Sequence, residues 1–173
     1  MPYTLKEFCA DLSATLKNKR ESGLPDIAQK LSQLLANPAF VSETFSEDTP
    51  IGRRELWHDP ETDVYVLAHV QEGAKVGKPH SHGASWAIYG TARGVTEMTE
   101  WQRVNAAGED GAVLQKSKAY ALGPGQTQAY PSGVIHSTAH PQKTWVIRVT
   151  GTDLDAIPRY RFRAATDKIL ERA

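Results

Sequence analysis

The stretch Gly125-Gln126-Thr127-Gln128-Ala129-Tyr130-Pro131-Ser132-Gly133-Val134-Ile135-His136 decides the fold. It reads as a glycine, five residues, Pro-x-Gly, two residues and a histidine. Proline and glycine this close together predict a tight turn between two strands. We therefore expect His136 to begin the strand that follows the turn, at a position fixed by the turn itself.

A second motif, Pro79-His80-Ser81-His82, lies earlier in the chain. Residues two apart on a strand point to the same face, so this motif presents two imidazoles side by side, close enough to share one metal ion. Alone, such a pair is a weak signal. Combined with the restrictive spacing before His136, it predicts a metal site made of His80, His82 and His136.

The other three histidines are expected to be structural. His58, beside Asp59-Pro60, is typical of a turn, and His69 is expected to be a buried core histidine. His140 follows His136 by four positions in a turn-rich stretch, which leaves open a place at the rim of the site.

Short runs rich in β-branched and aromatic residues surround the two motifs, and turn signals separate them. These runs are Arg54–His58, Val64–Val70, Trp86–Tyr89, Gly94–Trp101, Ala119–Leu122 and Thr144–Val149. One of the turns is expected at Ala107–Gly111. Many short strands at regular spacing indicate a sandwich or a closed barrel.

The first part of the chain reads as helical. Apolar residues three and four apart predict one helix over Thr4–Lys19 and a second that begins near Pro25 and ends at Asn37-Pro38. Pro38–Phe45 adds a further helical turn. We therefore expect one domain over residues 1–173, with N-terminal helices over 1–46, a β-barrel over 51–152 and a tail over 153–173 that ends in a helix over 166–173.

The composition excludes some partners. The 173 residues carry 20 basic and 20 acidic side chains, and no basic stripe that would indicate a nucleic-acid or anionic-membrane binder. No apolar run is long enough for a membrane span or a signal peptide. The single cysteine, Cys9, cannot form an intramolecular disulfide, which favours a cytoplasmic location. The sequence leaves open whether the protein is a homo-oligomer.

Together the two histidine motifs resemble the paired motifs of the cupin superfamily, and Gly94 lies where the first cupin motif ends in glycine. The resemblance implies a mainly β fold: a single cupin double-stranded β-helix barrel of the jelly-roll type, here with an N-terminal helical layer. It also implies that the three histidines meet in the barrel mouth. The usual glutamate ligand is missing, because Trp86 and Ala87 occupy its place and Glu97 lies too far along.

The segment 34–101 is similar to the thiol dioxygenase branch of cupins, which includes cysteine dioxygenase and 3-mercaptopropionate dioxygenase. That resemblance implies non-haem Fe(II), O₂ and a small thiol that becomes a sulfinate. It also implies an arginine that binds the substrate carboxylate. We expect Arg54 rather than Arg53 in that role, since adjacent strand residues face opposite ways. Three histidines also suit Zn, Ni or Mn.

Two departures from the thiol dioxygenases affect the expected site. Ala87 replaces a cysteine that cross-links to tyrosine in the animal enzymes, and Val146–Thr150 lacks the Ser-x-His-x-Tyr relay. In that alignment Arg148 points into the barrel, and Tyr89 or Tyr130 could replace the missing tyrosine. We therefore expect Arg54, Arg148 and Tyr130 to act on a small anionic substrate with O₂.

Two other functions remain open. One is a cupin lyase, isomerase or hydrolase that uses another divalent metal. A carboxylate base inside the pocket would favour it, and Glu97 is the only candidate near the histidine pair. The other is a cupin that binds a ligand without turnover. Fold alone does not choose among these functions, because one fold hosts many chemistries.

Overall fold

The computed structural model describes residues 2–106, 111–158 and 160–162, and the backbone of 168–170. Most of the turn expected at Ala107–Gly111 lies outside these residues. The helices are α1 (Leu5–Lys19), a 3₁₀ turn (Arg20–Gly23), α2 (Leu24–Leu35) and α3 (Pro38–Thr44). Thr4 and Glu7 form a capping box that begins α1, and the Asn37 side chain caps α3. The N-terminal helices expected from the sequence are thus confirmed.

Twelve strands account for the remaining regular structure of the described residues. They are β1 (Gly52–Asp59), β2 (Val64–Gln71), β3 (Lys75–Val76), β4 (His80–Ser81), β5 (Ala87–Arg93), β6 (Thr96–Arg103), β7 (Val113–Leu122), β8 (Thr127–Tyr130), β9 (Ile135–His140), β10 (Thr144–Thr150), β11 (Tyr160–Arg161) and β12 (Lys168–Leu170).

The strand order is that of a jelly roll. One sheet runs β1-β2-β10-β5-β8, and the other runs β11-β4-β9-β6-β7-β12, with β3 also paired to β9. If β3 and β4 count as two pieces of one strand, the eight strands from β2 to β10 pair as 1-8-3-6 and 2-7-4-5. This interleaving joins distant parts of the chain as two Greek keys and produces the double-stranded β-helix expected from the sequence.

The sheet that contains β10 is covered on both faces. Trp145, Ile147 and Val149 pack with the helices in the larger core, whereas Val146 belongs to a second core inside the barrel. Because side chains alternate along a strand, Arg148 shares the inner face with Val146. The helical layer therefore lies outside the barrel, and the barrel interior combines this smaller apolar core with polar side chains.

The tail differs from the expected structure. Lys168–Leu170 forms a short strand parallel to β7, so the helix expected over 166–173 is wrong for these three residues. The rest of that expected helix lies outside the described residues. In the described part of the chain, no helix is long and apolar enough to cross a membrane.

Candidate metal centre

Three strand-borne or strand-flanking histidines converge inside the barrel. His80 on β4 pairs directly with His136 on β9, and His82 follows two residues after His80, just beyond the end of β4. Their ring centroids are 4.7 to 5.3 Å apart. The strand expected across the histidine pair is thus shorter than predicted, but the three side chains meet as the spacing indicated.

The spacing of the ligand atoms fits one metal ion if the three rings move slightly closer together. One nitrogen from each ring lies within 4.8 Å of the others. Two imidazole nitrogens on one ion can be at most about 4.2 Å apart, twice a metal–nitrogen bond of about 2.1 Å. Side-chain torsions of the three histidines can supply the difference. This group could therefore hold a metal ion.

Backbone carbonyls set which nitrogen of two histidines is available. The Nδ1 atoms of His80 and His136 lie 3.0 Å from the Lys78 carbonyl oxygen and 3.4 Å from the Val134 carbonyl oxygen. A neutral ring that donates its Nδ1–H to a carbonyl keeps a lone pair on Nε2. The Nε2 of His136 is buried without a hydrogen-bond partner, which is the state expected of a metal ligand.

The His136 ring is held neutral by its surroundings. Burial, and then the nearby His80 and Arg148, lower the pKa of His136 to about 3, although the Val134 carbonyl opposes the shift. Only a neutral imidazole can ligate a metal, because the protonated ring has no free lone pair. The His136 ring is therefore available as a ligand at neutral pH.

An aromatic wall supports the histidine cluster. The ring of Tyr130 stacks on His136, and the Tyr89 hydroxyl lies 3.3 Å from His82 Nε2. The Tyr130 hydroxyl is hydrogen-bonded to Tyr120, whose own hydroxyl donates to Glu100 Oε1 over 2.8 Å. Burial and the Tyr120 contact raise the pKa of Tyr130 far above its usual range, so the phenol stays protonated.

Glu100 and Tyr120 are site-lining residues that sequence reasoning missed. Glu100 lies directly opposite His136 in the β6–β9 pairing, on the inner face with Met98. Strand alternation from Met98 could have indicated Glu100. The expected alternative, Glu97, is exposed and pairs with Ala139 on the outer side. The carboxylate near the histidines is therefore Glu100 and not Glu97.

The two arginines expected in the site have different positions. Arg148 lies on the inner face of β10 and lines a small cavity beside His80. Arg54 pairs with Ala68 on the face that packs against the helices, and its guanidinium donates to the Thr44 carbonyl oxygen over 2.7 Å. The expectation that Arg54 reaches the barrel interior is therefore wrong.

The neighbour of Arg54 has the orientation expected of Arg54. Arg53 pairs with His69 across β1 and β2 and so shares its face, but Arg53 is exposed and forms ion pairs with Asp153 and Asp155. Both arginines also line an outer groove of about 560 Å³ that does not include the clustered histidines. The choice between the two arginines depends on strand register, which alternation alone does not give.

The remaining histidines divide into two kinds. His58 is the next-to-last residue of β1, where it pairs with and stacks on Tyr65 at 4.0 Å and lies 3.3 Å from Asp63, so it belongs to the strand and not to the turn expected there. His69 and His140 are buried and line the same cavity as Arg148. His140 thus lies beside the site, as the alternative interpretation allowed, and His69 joins it there.

The strand order and the converging histidines together decide the architecture. The chain has a cupin-type barrel. No protein-family model and no curated protein matches the sequence.

Solved structures with similar shape include proteins of the same architecture. KdgF from Halomonas sp. is 17% identical, with a TM-score of 0.46 over 65% of this chain and 91% of that chain. A cupin superfamily protein from Desulfitobacterium hafniense is 12% identical, with a TM-score of 0.45 over 65% and 87%. DMSP lyase DddQ from Ruegeria pomeroyi is 15% identical, with a TM-score of 0.46 over 68% and 55%. At these values the likeness carries no argument about the reaction.

Proposed function

We propose that this cupin-type protein is a metal-dependent enzyme that oxidises a small thiol carboxylate with O₂, using Fe(II) bound by His80, His82 and His136. The observation that carries the proposal is the ligand set. In the described residues the cluster contains three imidazoles and no carboxylate. A cavity lined by Arg148 adjoins it.

The ligand set favours iron and an anionic substrate. Three neutral ligands leave the full 2+ charge of a divalent ion in place. When bound, Fe(II) supplies open coordination positions for a thiolate and O₂, and it lowers the pKa of the thiol. The overall reaction balances as RSH + O₂ → RSO₂⁻ + H⁺, with both oxygen atoms bonded to sulfur and the thiol proton released.

The side chains around the cluster supply binding and shielding. Arg148 can hold the substrate carboxylate with paired, charge-assisted hydrogen bonds. Tyr130, which is 2% exposed, and Tyr89 cover the cluster from the adjoining strands and limit the access of water. The hydrogen bonds from the rings of His80 and His136 to backbone carbonyls keep both Nε2 atoms directed at the shared centre.

A second candidate is a cupin lyase, isomerase or hydrolase that uses Zn, Ni or Mn. The hydrogen-bonded series Glu100–Tyr120–Tyr130 favours it, because it links a carboxylate through two phenols to the ring that stacks on His136. These groups can hold or pass a proton without any change in oxidation state. A cupin that only binds the anion is the remaining alternative.

The decisive experiment separates oxygen chemistry from other metal chemistry. The protein is purified anaerobically, its metal content is measured, and it is reconstituted with Fe(II) or Zn²⁺. Oxygen uptake is then followed with cysteine and 3-mercaptopropionate, and the product is examined by mass spectrometry for a gain of two oxygen atoms. The expected result is thiol-dependent uptake with Fe(II) and none with Zn²⁺ or with His136→Ala.

Two results would redirect the assignment. Fully iron-loaded protein that consumes no O₂ with either thiol contradicts the proposed oxidation of thiol carboxylates. If His80→Ala, His82→Ala and His136→Ala all keep the metal content of the wild-type protein, the shared site itself is contradicted.

A further inference from the structure

A second polar cluster lies inside the barrel, beside the three histidines. It surrounds a cavity of about 100 Å³. His69 on β2 and Arg148 on β10 line it from one sheet, and His140 on β9 lines it from the other. His80 also lines this cavity, so the cavity adjoins the metal cluster.

Three buried polar atoms in this cluster have no hydrogen-bond partner. They are His69 Nε2, His140 Nδ1 and Arg148 Nε. His69 and His140 are only 8% and 6% exposed. A buried polar group without a partner costs about 1–3 kcal/mol, so such groups are few in native proteins. Three of them around one cavity indicate that a ligand supplies the missing partners.

The charge of the cavity selects an anion. In the part of the chain that the structure describes, no acidic side chain lines the cavity and none forms an ion pair with Arg148. Burial, and then the positive charges of Arg148 and Arg53, lower the pKa of His69 to about 3, so that ring is neutral at pH 7. The guanidinium therefore gives the cavity a positive charge, which disfavours a second metal ion.

One of the two imidazoles also requires a hydrogen-bond donor. The Val95 carbonyl lies beside the His140 ring, and Nδ1 is the ring nitrogen that is buried without a hydrogen-bond partner. The nitrogen that faces the carbonyl is therefore Nε2; with the proton there, the Nδ1 of a neutral ring carries a lone pair. A ligand that satisfies both Arg148 and His140 must combine an anionic group with an N–H or O–H group.

The cavity volume limits the size of the ligand. About 100 Å³ corresponds to roughly three water molecules at about 30 Å³ each. That is enough for a carboxylate with one or two further carbons and a small substituent. It is too small for a nucleotide, a sugar phosphate or an aromatic acid.

We propose that Arg148, His69 and His140 form an anion subsite that takes the carboxylate end of a small amino or hydroxy acid. Arg148 binds the carboxylate, and His140 accepts a hydrogen bond from the amino or hydroxyl group. The subsite rests on the proposed function only in placing the reacting end of the substrate toward His80. Binding of the acid itself needs no metal.

The test uses the full-length, metal-free protein, so that carboxylate cannot bind to an ion. Racemic lactate is the probe, and ¹H–¹⁵N spectra of the histidine rings at pH 7.5 are the readout. Lactamide has the same shape without the charge, and propionate lacks the hydroxyl group. We expect lactate to shift the His69 and His140 signals saturably, and both analogues to bind about tenfold or more weakly.

Variants then identify the residue that binds the anion. Arg148→Gln is expected to weaken lactate binding by about tenfold or more. Arg53→Gln is the matched control, because Arg53 is a nearby arginine already paired with Asp153 and Asp155. It should leave lactate binding unchanged.

The possible failures are distinguishable. Equal binding of lactate and lactamide, or no response of the two histidine signals, overturns the subsite, and neither result depends on whether Arg148→Gln folds. Lactate binding without thiol-dependent O₂ uptake in the iron-loaded protein supports the subsite and rejects the proposed reaction. Thiol-dependent O₂ uptake without lactate binding supports the proposed reaction and rejects the subsite.

Discussion

Tyr130 lies flat against His136, with ring centroids 4.4 Å apart and ring planes 17° apart. Its hydroxyl is tied through Tyr120 to Glu100, which lies opposite His136 in the neighbouring strand. The orientation of the His136 ring is thus fixed from two directions, by the Val134 carbonyl at its edge and by Tyr130 at its face. A metal ligand supported in this way is preorganised before any ion binds.

The hydroxyl bridge at Tyr120 predicts a measurable loss of stability on its removal. Tyr120→Phe leaves the buried Tyr130 hydroxyl without its partner and takes a donor from Glu100. We expect a loss of about 1–3 kcal/mol in the free energy of unfolding, measured by urea denaturation. Tyr160→Phe is the control, since Tyr160 is 65% exposed and should change stability little. Equal losses in the two variants would contradict a role for the bridge.

Metal binding should stabilise the fold through the three histidines. A ligand that binds only the folded state adds about 2.7 kcal/mol at a hundred times its Kd. We expect Zn²⁺ to raise the unfolding temperature of the wild-type protein but not of His82→Ala. His58→Ala should respond as the wild type does, because His58 lies at the end of β1 with Tyr65 and Asp63 and is not one of the three clustered histidines. A retained response in His82→Ala would show that the ion binds elsewhere.

The pKa of His69 predicts how stability depends on pH. It is about 3 in the folded protein, against an ordinary value of 6.5. Between these values the unfolded state binds more protons, so the contribution is fully present above pH 6.5 and is lost as the pH falls toward 3. Each pH unit within this window removes up to about 1.4 kcal/mol.

The variant His69→Gln should reduce this dependence. Urea unfolding of metal-free protein from pH 6.5 down to about pH 5 should show a loss that is about 1–2 kcal/mol smaller in the variant. Arg148, Arg53 and His140 are the charged or titratable groups that lower the His69 pKa, and all three remain in place. His136 contributes equally to both proteins and cancels in the comparison. Parallel stability curves would show that His69 does not titrate as described.

The histidine cluster could be predicted from sequence because local rules determine most of it. The turn at Pro131–Gly133, closed by a hydrogen bond from the Val134 amide to the Pro131 carbonyl oxygen, places His136 at the start of β9. The pair His80 and His82 follows from strand spacing. The family resemblance supplied the rest, namely that the two motifs meet.

The residues that sequence reasoning misplaced or missed depend on strand register. Alternation shows that only one of Arg53 and Arg54 faces inward, but the pairing of Arg54 with Ala68 determines which one. Glu100 carries no motif and becomes a site residue only because β6 pairs it with His136. Register is set by long-range pairing, which a single sequence does not reveal.

Gly94 and Gly125 have nearly the same φ angle but different surroundings, so alanine variants of the two distinguish steric crowding from backbone strain. Gly94 and Gly125 have φ angles of +81° and +79°. A Cβ at Gly94 would lie 2.8 Å from both the Lys143 carbonyl oxygen and Thr144 Oγ1, whereas nothing lies within 4 Å of a Cβ at Gly125. Both alanine variants should lose about 1–2 kcal/mol from the left-handed backbone.

Gly94→Ala should lose more than Gly125→Ala, by about 1–3 kcal/mol, because an overlap with the start of β10 adds to the backbone strain. Urea unfolding of the two variants measures the difference directly. A larger loss for Gly94→Ala would show that the position needs glycine because β10 passes so close to the turn between β5 and β6. Equal losses would show that the crowding relaxes and that the φ angle alone demands glycine there.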